Sequence, residues 1–292
     1  MAGETAPGTV RFASDELEIE VLPRVGGRLH RLRAFGHDLL RTPGSLDRYR
    51  DEPVFWGAYP MAPWCNRLST NATAVGDRTV ELASNFTDGT AIHGQVATVP
   101  WAEDGPGRFV VRGGGNGWPW RYAVEEQLRV DGPVLTLGLR LTNLDTVAMP
   151  GGLGLHPWFR KPLEVRVPAR TVLASNLDPA AGRWPVGGRL DLRRTGPLPV
   201  DLDGSWLDFD EDVIELRWPD LGIRARLRWE ATAPTSIAIA SPQTLDGVAV
   251  EPQTHLPDGL RRWLSGEQGG LTVVEPGASL ELAIELAVGR SG

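Results

Sequence analysis

Short runs in which apolar and polar residues alternate are the feature that most constrains how this chain folds. Leu17–Leu22 and Val134–Asn143 both alternate with a period of two residues. Such a period places every second side chain on the same face of a β-strand. The 35 glycines and 24 prolines are spread along the chain and supply turns between such strands. We therefore predict an all-β chain that forms one β-sandwich-type domain over residues 1–292.

Two segments are predicted to depart from the strand pattern. Residues 257–264 favour a short helix, with Asp258 near the start and two arginines towards the end. Residues 201–212 are typical of a solvated acidic loop, although one of the acids could turn inward. The six carboxylates of this segment are Asp201, Asp203, Asp208, Asp210, Glu211 and Asp212.

Charge and composition argue against several classes of function. The net charge is −7 and no basic run occurs, which disfavours nucleic-acid binding. Cys65 is the only cysteine, so no intrachain disulfide forms. The sequence shows neither a signal-peptide profile nor an apolar stretch of membrane-spanning length, so we expect a cytoplasmic protein with no membrane partner. It also lacks the HExxH, P-loop and GxSxG motifs, so we expect no metal and no cofactor.

His156 lies in an unusual segment, residues 151–159. Glycines precede it, and Pro157, Trp158 and Phe159 follow it. A residue before proline is biased to an extended backbone, so the imidazole should stand on a stiff support. A titratable imidazole beside aromatic surface suits proton transfer to a sugar-like molecule. The alternative is a core histidine whose ring binds a backbone carbonyl.

An aromatic-rich segment, residues 55–68, ends close to Asn66 and Arg67. Its prolines exclude a long helix. Tyrosine and tryptophan offer apolar faces for sugar C–H groups, and arginine offers a fork of donors for oxygen atoms. The segment therefore either lines a binding pocket or forms a structural loop in which Arg67 pairs with a surface carboxylate.

Two more polar residues stand at the ends of predicted strands. His93 precedes Gly94, and Glu251 follows an apolar run and precedes Pro252. A carboxylate at the end of an apolar strand is costly to bury unless it is paired or used. The alternatives are a structural histidine and a glutamate that faces water.

Taken in order, these elements resemble the aldose 1-epimerase family, also called galactose mutarotases. That family has an Asn-Arg, a His-Gly, a His-Pro-aromatic-Phe and a Glu-Pro motif, and the likeness runs from about residue 17 to residue 288. The matching segments here are Asn66-Arg67, His93-Gly94, His156-Pro157-Trp158-Phe159 and Glu251-Pro252. The resemblance implies a large antiparallel β-sandwich, galactose mutarotase-like, with a sugar cleft across one sheet.

The resemblance also implies roles for four of these residues. Glu251 would act as the general base and His156 as the general acid. Arg67 and His93 would hold oxygen atoms of the sugar.

Two features of the family are less easily placed on this sequence. Its sugar-binding aspartate would correspond to Asp208 or to Asp210, and the segment before Asp208 favours the former. Many members also carry a glutamine on the strand before the glutamate, whereas residues 234–237 contain none. The identity of the sugar is therefore left open.

The residue types fit the implied chemistry on their own. Opening a sugar ring requires removal of a proton from the anomeric hydroxyl and delivery of another to the ring oxygen, which a carboxylate and an imidazolium can share. We predict an aldose 1-epimerase that interconverts the α and β anomers of a hexose, with the small-molecule sugar as its partner. One alternative is a hexose-6-phosphate 1-epimerase, which would need arginines such as Arg28, Arg31 and Arg48 at the cleft rim. The other is a non-catalytic carbohydrate-binding or regulatory protein.

Overall fold

Two large antiparallel sheets carry most of the chain in the computed structural model, which describes residues 8–68, 72–175 and 182–291. Within these ranges one sheet has eleven strands and the other has nine. The predicted all-β antiparallel sandwich is confirmed. The same ranges contain no helix that is both long and apolar enough to cross a bilayer.

The strands are short and follow one another closely along the chain. In chain order they are β1 Val10–Ala13, β2 Leu17–Leu22, β3 Arg28–Ala34, β4 His37–Asp38, β5 Ala58–Met61, β6 Arg67–Leu68, β7 Ala72–Val75, β8 Arg78–Glu81, β9 Ala91–Ile92, β10 Ala102–Glu103, β11 Arg108–Gly115, β12 Trp118–Asp131, β13 Val134–Asn143, β14 Met149–Gly151, β15 Gly154–Phe159, β16 Glu164–Arg166, β17 Ala169–Leu173, β18 Arg183–Pro185, β19 Gly196–Pro197, β20 Leu202–Phe209, β21 Val213–Trp218, β22 Ile223–Ala231, β23 Ser236–Ser241, β24 Val248–Gln253, β25 Thr272–Val274 and β26 Ser279–Arg290. Two short α-helices accompany them, α1 Arg48–Asp51 and α2 Gly259–Leu264.

Strands that are distant in sequence become neighbours in the sheets. The larger sheet runs β1-β2-β3-β5-β15-β24-β23-β20-β17-β18, with β4 beside β3, and the smaller runs β10-β11-β12-β13-β26-β22-β21-β16-β19. Strand β15 therefore lies in the middle of the larger sheet, between β5 and β24. A separate pair, β6 with β9, brings Arg67 next to the residues that precede His93.

The core fills the space between the two sheets. Leu32 and Leu155 of the larger sheet belong to the same buried cluster as Leu137 and Leu286 of the smaller one. Truncating one such leucine to alanine typically costs about 2–5 kcal/mol. One cluster thus joins both sheets, and the single domain over residues 1–292 stays a prediction.

Alternation along β15 decides which of its side chains face the opposite surface of the larger sheet. Leu155 and Phe159 pack into the core between the sheets. Trp158 instead joins a second cluster, which includes Tyr59. Since alternate residues share a face, His156 lies on the same surface as Trp158.

Two sequence predictions about local structure are corrected or refined. Residues 201–212 are not simply a loop, because Leu202–Phe209 forms β20 between β17 and β23. Its even-numbered residues Leu202, Gly204 and Trp206 are buried. The predicted helix at residues 257–264 is present as α2 but begins at Gly259.

Glu126 on β12 generates a prediction about stability. The side chain is fully buried, and neither carboxyl oxygen has a hydrogen-bond partner among the described residues. Burial raises the pKa of Glu126 well above its usual value of 4.5. The folded protein therefore keeps a proton that the unfolded chain loses, so this group reduces stability progressively as pH rises above about 4.5.

We expect the free energy of unfolding of Glu126→Gln, measured relative to that of the natural protein, to increase as the pH rises from 4.5 to 8. The gain should reach up to about 1.4 kcal/mol per pH unit while the folded carboxyl stays protonated. Urea unfolding at several pH values measures it, with the exposed Glu285→Gln as the matched control. A stability difference that does not change with pH would contradict this account of Glu126.

Candidate active site

A cavity of about 250 Å³ opens on the face of the larger sheet that points away from the core. Strands β15, β24, β23 and β20 supply part of its lining, and the segments around β6 and β9 supply another part. The polar residues that line it are Asn66, Arg67, His93, His156, Asp201, Asp203 and Glu251. Four residues predicted from separate motifs, Arg67, His93, His156 and Glu251, are thus brought together.

Strand register places His156 directly opposite Glu251. Strands β15 and β24 are antiparallel, and Gly154 pairs with Gln253 while Trp158 pairs with Ala249. The imidazole Nε2 lies 3.3 Å from Glu251 Oε1, and both side chains are about 5 % exposed. The backbone therefore fixes the distance between the expected acid and the expected base.

Burial acts in opposite directions on the two groups. It raises the pKa of Glu251 well above its usual value, with a further rise from Asp203 and an opposing effect from Arg67. The pKa of His156 is lowered to about 3, mainly by burial, with a backbone hydrogen bond opposing the shift and smaller lowering effects from Arg28 and Arg67. Both effects disfavour two full charges in a site from which water is excluded. The two groups therefore titrate as a coupled pair.

His93 is held in a strained backbone conformation at the cavity wall. It follows β9 with φ +59°, and Asn66 has φ +54°, a region that residues other than glycine seldom adopt. Two hydrogen bonds join these residues. Asn66 N donates to His93 Nδ1 at 3.2 Å, and His93 N donates to Asn66 O at 3.1 Å. The next residue is Gly94 with φ +72°, where a Cβ would clash with the carbonyl of Ala62.

The hydrogen bond from Asn66 N also determines which further hydrogen bonds the His93 ring can make. Burial lowers the pKa of His93 well below 6.5, so the ring is neutral. Because Nδ1 accepts from Asn66, Nε2 carries the hydrogen and is a donor. Ligand atoms of His93, His156 and Glu251 lie within 4.8 Å of one another, as in some metal sites. A donating Nε2 nevertheless suits an oxygen acceptor rather than a metal ion.

Arg67 satisfies both interpretations considered for it. Its Nε donates to Asp88 Oδ2 at 2.6 Å, and its guanidinium carbon lies 5.1 Å from the centre of the Phe86 ring. The side chain is 16 % exposed and also lines the cavity. The ion pair with Asp88 therefore orients a guanidinium that remains available at the cavity wall.

The structure places neither Asp208 nor Asp210, the two predicted sugar-binding aspartates, at the cavity. Asp208 and Asp210 are both exposed and do not line the cavity; Asp210 instead pairs with Arg170 at 3.4 Å. Asp203 lines the cavity. It pairs with Ala240 on β23, which in turn pairs with Ala249 on β24. Strand β20 thus turns Asp203 towards the cavity face.

Gln253 is a site residue that the sequence motifs did not single out. Its Nε2 donates to Glu251 Oε2 at 3.3 Å, and the side chain is fully buried. Residues 234–237 contain no glutamine, but Ser236 of that strand pairs with Gln253. The available signal was the two-residue spacing from Glu251, which places both side chains on one face of β24.

Aromatic rings form the apolar wall of the cavity. The ring of Phe55 lies 6.1 Å from that of Trp158 and 6.2 Å from that of Phe86. Trp158 Nε1 already donates to the carbonyl of Val54 at 2.7 Å. The wall therefore offers carbon faces, which suit the C–H groups of a sugar.

The glycines before His156 allow other side chains, rather than a ligand, to come close. A Cβ on Gly154 would lie 2.7 Å from Cys65 Sγ and 2.7 Å from Met61 Cε. A Cβ on Gly152 would collide with the ring of His255. Glycine at these two positions therefore leaves room for the side chains of Cys65, Met61 and His255.

The fold and the family that sequence comparison identifies support an enzyme of the epimerase or mutarotase type. A family model described as aldose 1-epimerase matches residues 10–194, which is more than half of the chain. The chain belongs to the aldose 1-epimerase family, as the motifs predicted. Asp203 and Glu251 lie beyond the matched residues.

Several known proteins are similar to this chain. YphB of Escherichia coli K12, described as uncharacterized, is 25 % identical over 247 residues, covering 79 % of this chain and 83 % of YphB. A galactose mutarotase-like protein from Clostridium acetobutylicum superposes with a TM-score of 0.83 at 17 % identity, covering 97 % of this chain and 95 % of that one. Galactose 1-epimerase from Lactobacillus acidophilus NCFM gives a TM-score of 0.77 at 16 % identity, with the same coverage. At these identities the two structures show a shared fold.

Exchanging single aspartates tests the corrected assignment. We expect Asp203→Asn to weaken hexose binding by about tenfold or more, because a charge-assisted hydrogen bond is lost. Asp208→Asn is the matched control and should bind as the natural protein does. Calorimetric titration with D-galactose and D-glucose measures both. Weaker binding by the Asp208 variant alone would reverse the assignment.

Proposed function

We propose that this protein is an aldose 1-epimerase that interconverts the α and β anomers of a hexose by acid/base ring opening and closure. The observation that carries the proposal is the buried His156–Glu251 pair at 3.3 Å on the floor of the cavity. Membership of the aldose 1-epimerase family supports the same activity.

Each group has one proton-transfer role in the proposed reaction. Glu251 removes the proton of the anomeric hydroxyl, and His156 delivers a proton to the ring oxygen as the C1–O5 bond breaks. The product is the open-chain aldehyde, which rotates about C1–C2. Closure reverses the roles: the O5 hydroxyl returns its proton to His156 and attacks C1, while Glu251 protonates the new anomeric oxygen.

The electrostatics of the cavity favour both transfers. The reaction needs one proton on the pair, because a carboxylate must accept a proton while an imidazolium delivers one. Burial makes that carboxylate a stronger base and that imidazolium a stronger acid than in water. Positioned acid/base groups of this kind typically contribute about 10²–10⁴-fold to a rate.

The remaining polar residues fit the task of holding the sugar. Arg67 and the Nε2 hydrogen of His93 offer donors at the wall, and Asp203 offers an acceptor across the cavity. Gln253 orients the Glu251 carboxyl. The apolar face of the sugar ring would pack against Phe55 and its neighbours.

The hexose-6-phosphate alternative receives no support from the arginines nominated for it. None of the three lines the cavity. Arg28 is buried and donates to backbone carbonyls, Arg31 pairs with Glu20, and Arg48 pairs with Glu52. We therefore favour an unphosphorylated hexose.

Polarimetry tests the proposed activity. The natural protein should accelerate the mutarotation of freshly dissolved D-galactose or D-glucose. Glu251→Gln and His156→Ala should each lower kcat by about 10²–10⁴-fold, because each removes one proton-transfer group. The exposed Glu285→Gln should leave it unchanged. A folded natural protein that binds sugar yet gives no acceleration would instead indicate a carbohydrate-binding or regulatory protein.

Phosphorylation of the substrate distinguishes the two enzymatic alternatives. We expect kcat/KM for D-glucose to exceed that for D-glucose 6-phosphate by about tenfold or more, because an unpaired phosphate is costly to desolvate. Coupled assays on the fresh anomers measure both values. A preference for the phosphate ester would overturn the choice of an unphosphorylated hexose.

A further inference from the structure

A column of stacked groups runs from the His156 imidazole sideways across strands β5 and β3, on the same face of the larger sheet. The His156 ring is stacked on the Tyr59 ring, with centroids 4.7 Å apart and planes at 20°. On the other side, the Arg28 guanidinium carbon lies 4.4 Å from the centre of the same tyrosine ring. It lies 4.8 Å from the ring of Tyr49, so the guanidinium is held between two tyrosines.

Backbone pairing makes this column rigid. His156 pairs with Tyr59 across β15 and β5, and Leu29, the residue after Arg28, pairs with Ala58 across β3 and β5. Adjacent strands of one sheet thus carry all three groups. None of them can shift far without breaking strand pairing.

Arg28 is bound without a carboxylate. The side chain is fully buried, and it donates to the carbonyls of Trp56 at 2.6 Å, Pro53 at 2.7 Å and Ala97 at 3.1 Å. No ion pair with an acid forms within the described part of the chain. Burial lowers the pKa of Arg28 to about 10, so the group is still positively charged at neutral pH. A net positive charge is therefore fixed next to the Tyr59 ring.

This charge acts on the protonation of His156. A guanidinium on one face of an aromatic ring draws on the same π electrons that a cation on the other face would use. The Tyr59 ring is therefore a better partner for a neutral imidazole than for an imidazolium. The other charged or titratable groups that face His156 are Glu251, His93 and Arg67.

We propose that Arg28, although it never touches the cavity, is a positioning residue that acts through the Tyr59 ring to make the proton of His156 easier to release. This proposal rests on the proposed function, in which His156 gives a proton to the ring oxygen. An imidazolium that is destabilised by the nearby positive charge of Arg28 is a stronger acid towards that weakly basic oxygen.

Arg28 also braces the cavity wall, and the two effects can be separated. Its hydrogen bonds hold residues 53–56, of which Val54 and Phe55 line the cavity. Losing these donors should raise KM. Losing the charge should instead displace the pH dependence of kcat, which a bracing role alone would not do.

Two variants divide the charge from the donors. Arg28→Lys keeps the charge but replaces five N–H donors in a fixed fork by three on a single nitrogen, whereas Arg28→Met loses both charge and donors. We expect Arg28→Met to move the acidic limb of the kcat–pH profile upward by about one pH unit, because the second proton binds the pair more readily. Arg28→Lys should keep the limb in place while KM rises. Thermal denaturation checks that each variant is folded, and Arg28→Gln is a second neutral variant.

Several outcomes would overturn the proposal. One is an acidic limb at the same pH in the natural protein and in a folded neutral variant. If neither neutral variant folds, a limb displaced by a full unit in Arg28→Lys would also overturn it, since that variant keeps the charge.

An NMR titration separates this proposal from the proposed function. The His156 Cε1–H signal, assigned with His156→Ala, should titrate at higher pH in Arg28→Met than in the natural protein. This result is expected even if the natural protein fails to accelerate mutarotation. An identical titration in both proteins would remove the role of Arg28 whatever the activity.

Discussion

The register of β15 against β24 is the constraint on which the site depends. It sets His156 opposite Glu251 on the outer face of a wide sheet, where both are shielded from water. A shift of either strand by one residue would turn its own side chain, His156 or Glu251, into the core between the sheets and separate the pair. The sheet therefore does more than support the pair, because it fixes the separation and the common face of the two groups.

Burial then gives this geometry its chemical character. A carboxyl and an imidazole in water at neutral pH would be charged and mostly neutral, respectively. Here the pKa of Glu251 is raised and that of His156 is lowered, so the carboxyl holds its proton more tightly and the imidazole less tightly than in water. The left-handed backbones at Asn66 and His93 add a fixed donor beside the pair.

Sequence patterns predicted the fold, and they singled out His156 and Glu251, which the fold brings together. The physical reasons can be identified. Alternating runs mark strands directly, and His156 and Glu251 each follow an apolar stretch with a proline next to them. Asp203 was missed in favour of Asp208 because its segment is rich in acids, and Gly204 conceals the alternation of β20. Only the strand register reveals which acid faces inward.

Arg28 shows a second limit of sequence reasoning. An arginine on a strand is usually a surface residue, and this one was considered only as a candidate for the cleft rim under the hexose-6-phosphate alternative. Its charge is instead stabilised by three backbone carbonyls from segments far apart in the chain, and by two tyrosine rings. No local pattern marks such a site, because its partners are assembled only by the fold.

A crystal structure of the Glu251→Gln variant with bound D-galactose would show which sugar oxygens face His156 and position 251. We expect the ring oxygen within about 2.6–3.2 Å of His156 Nε2, and the anomeric hydroxyl against the side chain at position 251. A sugar bound with its anomeric carbon away from these two residues would rule out proton transfer by this pair.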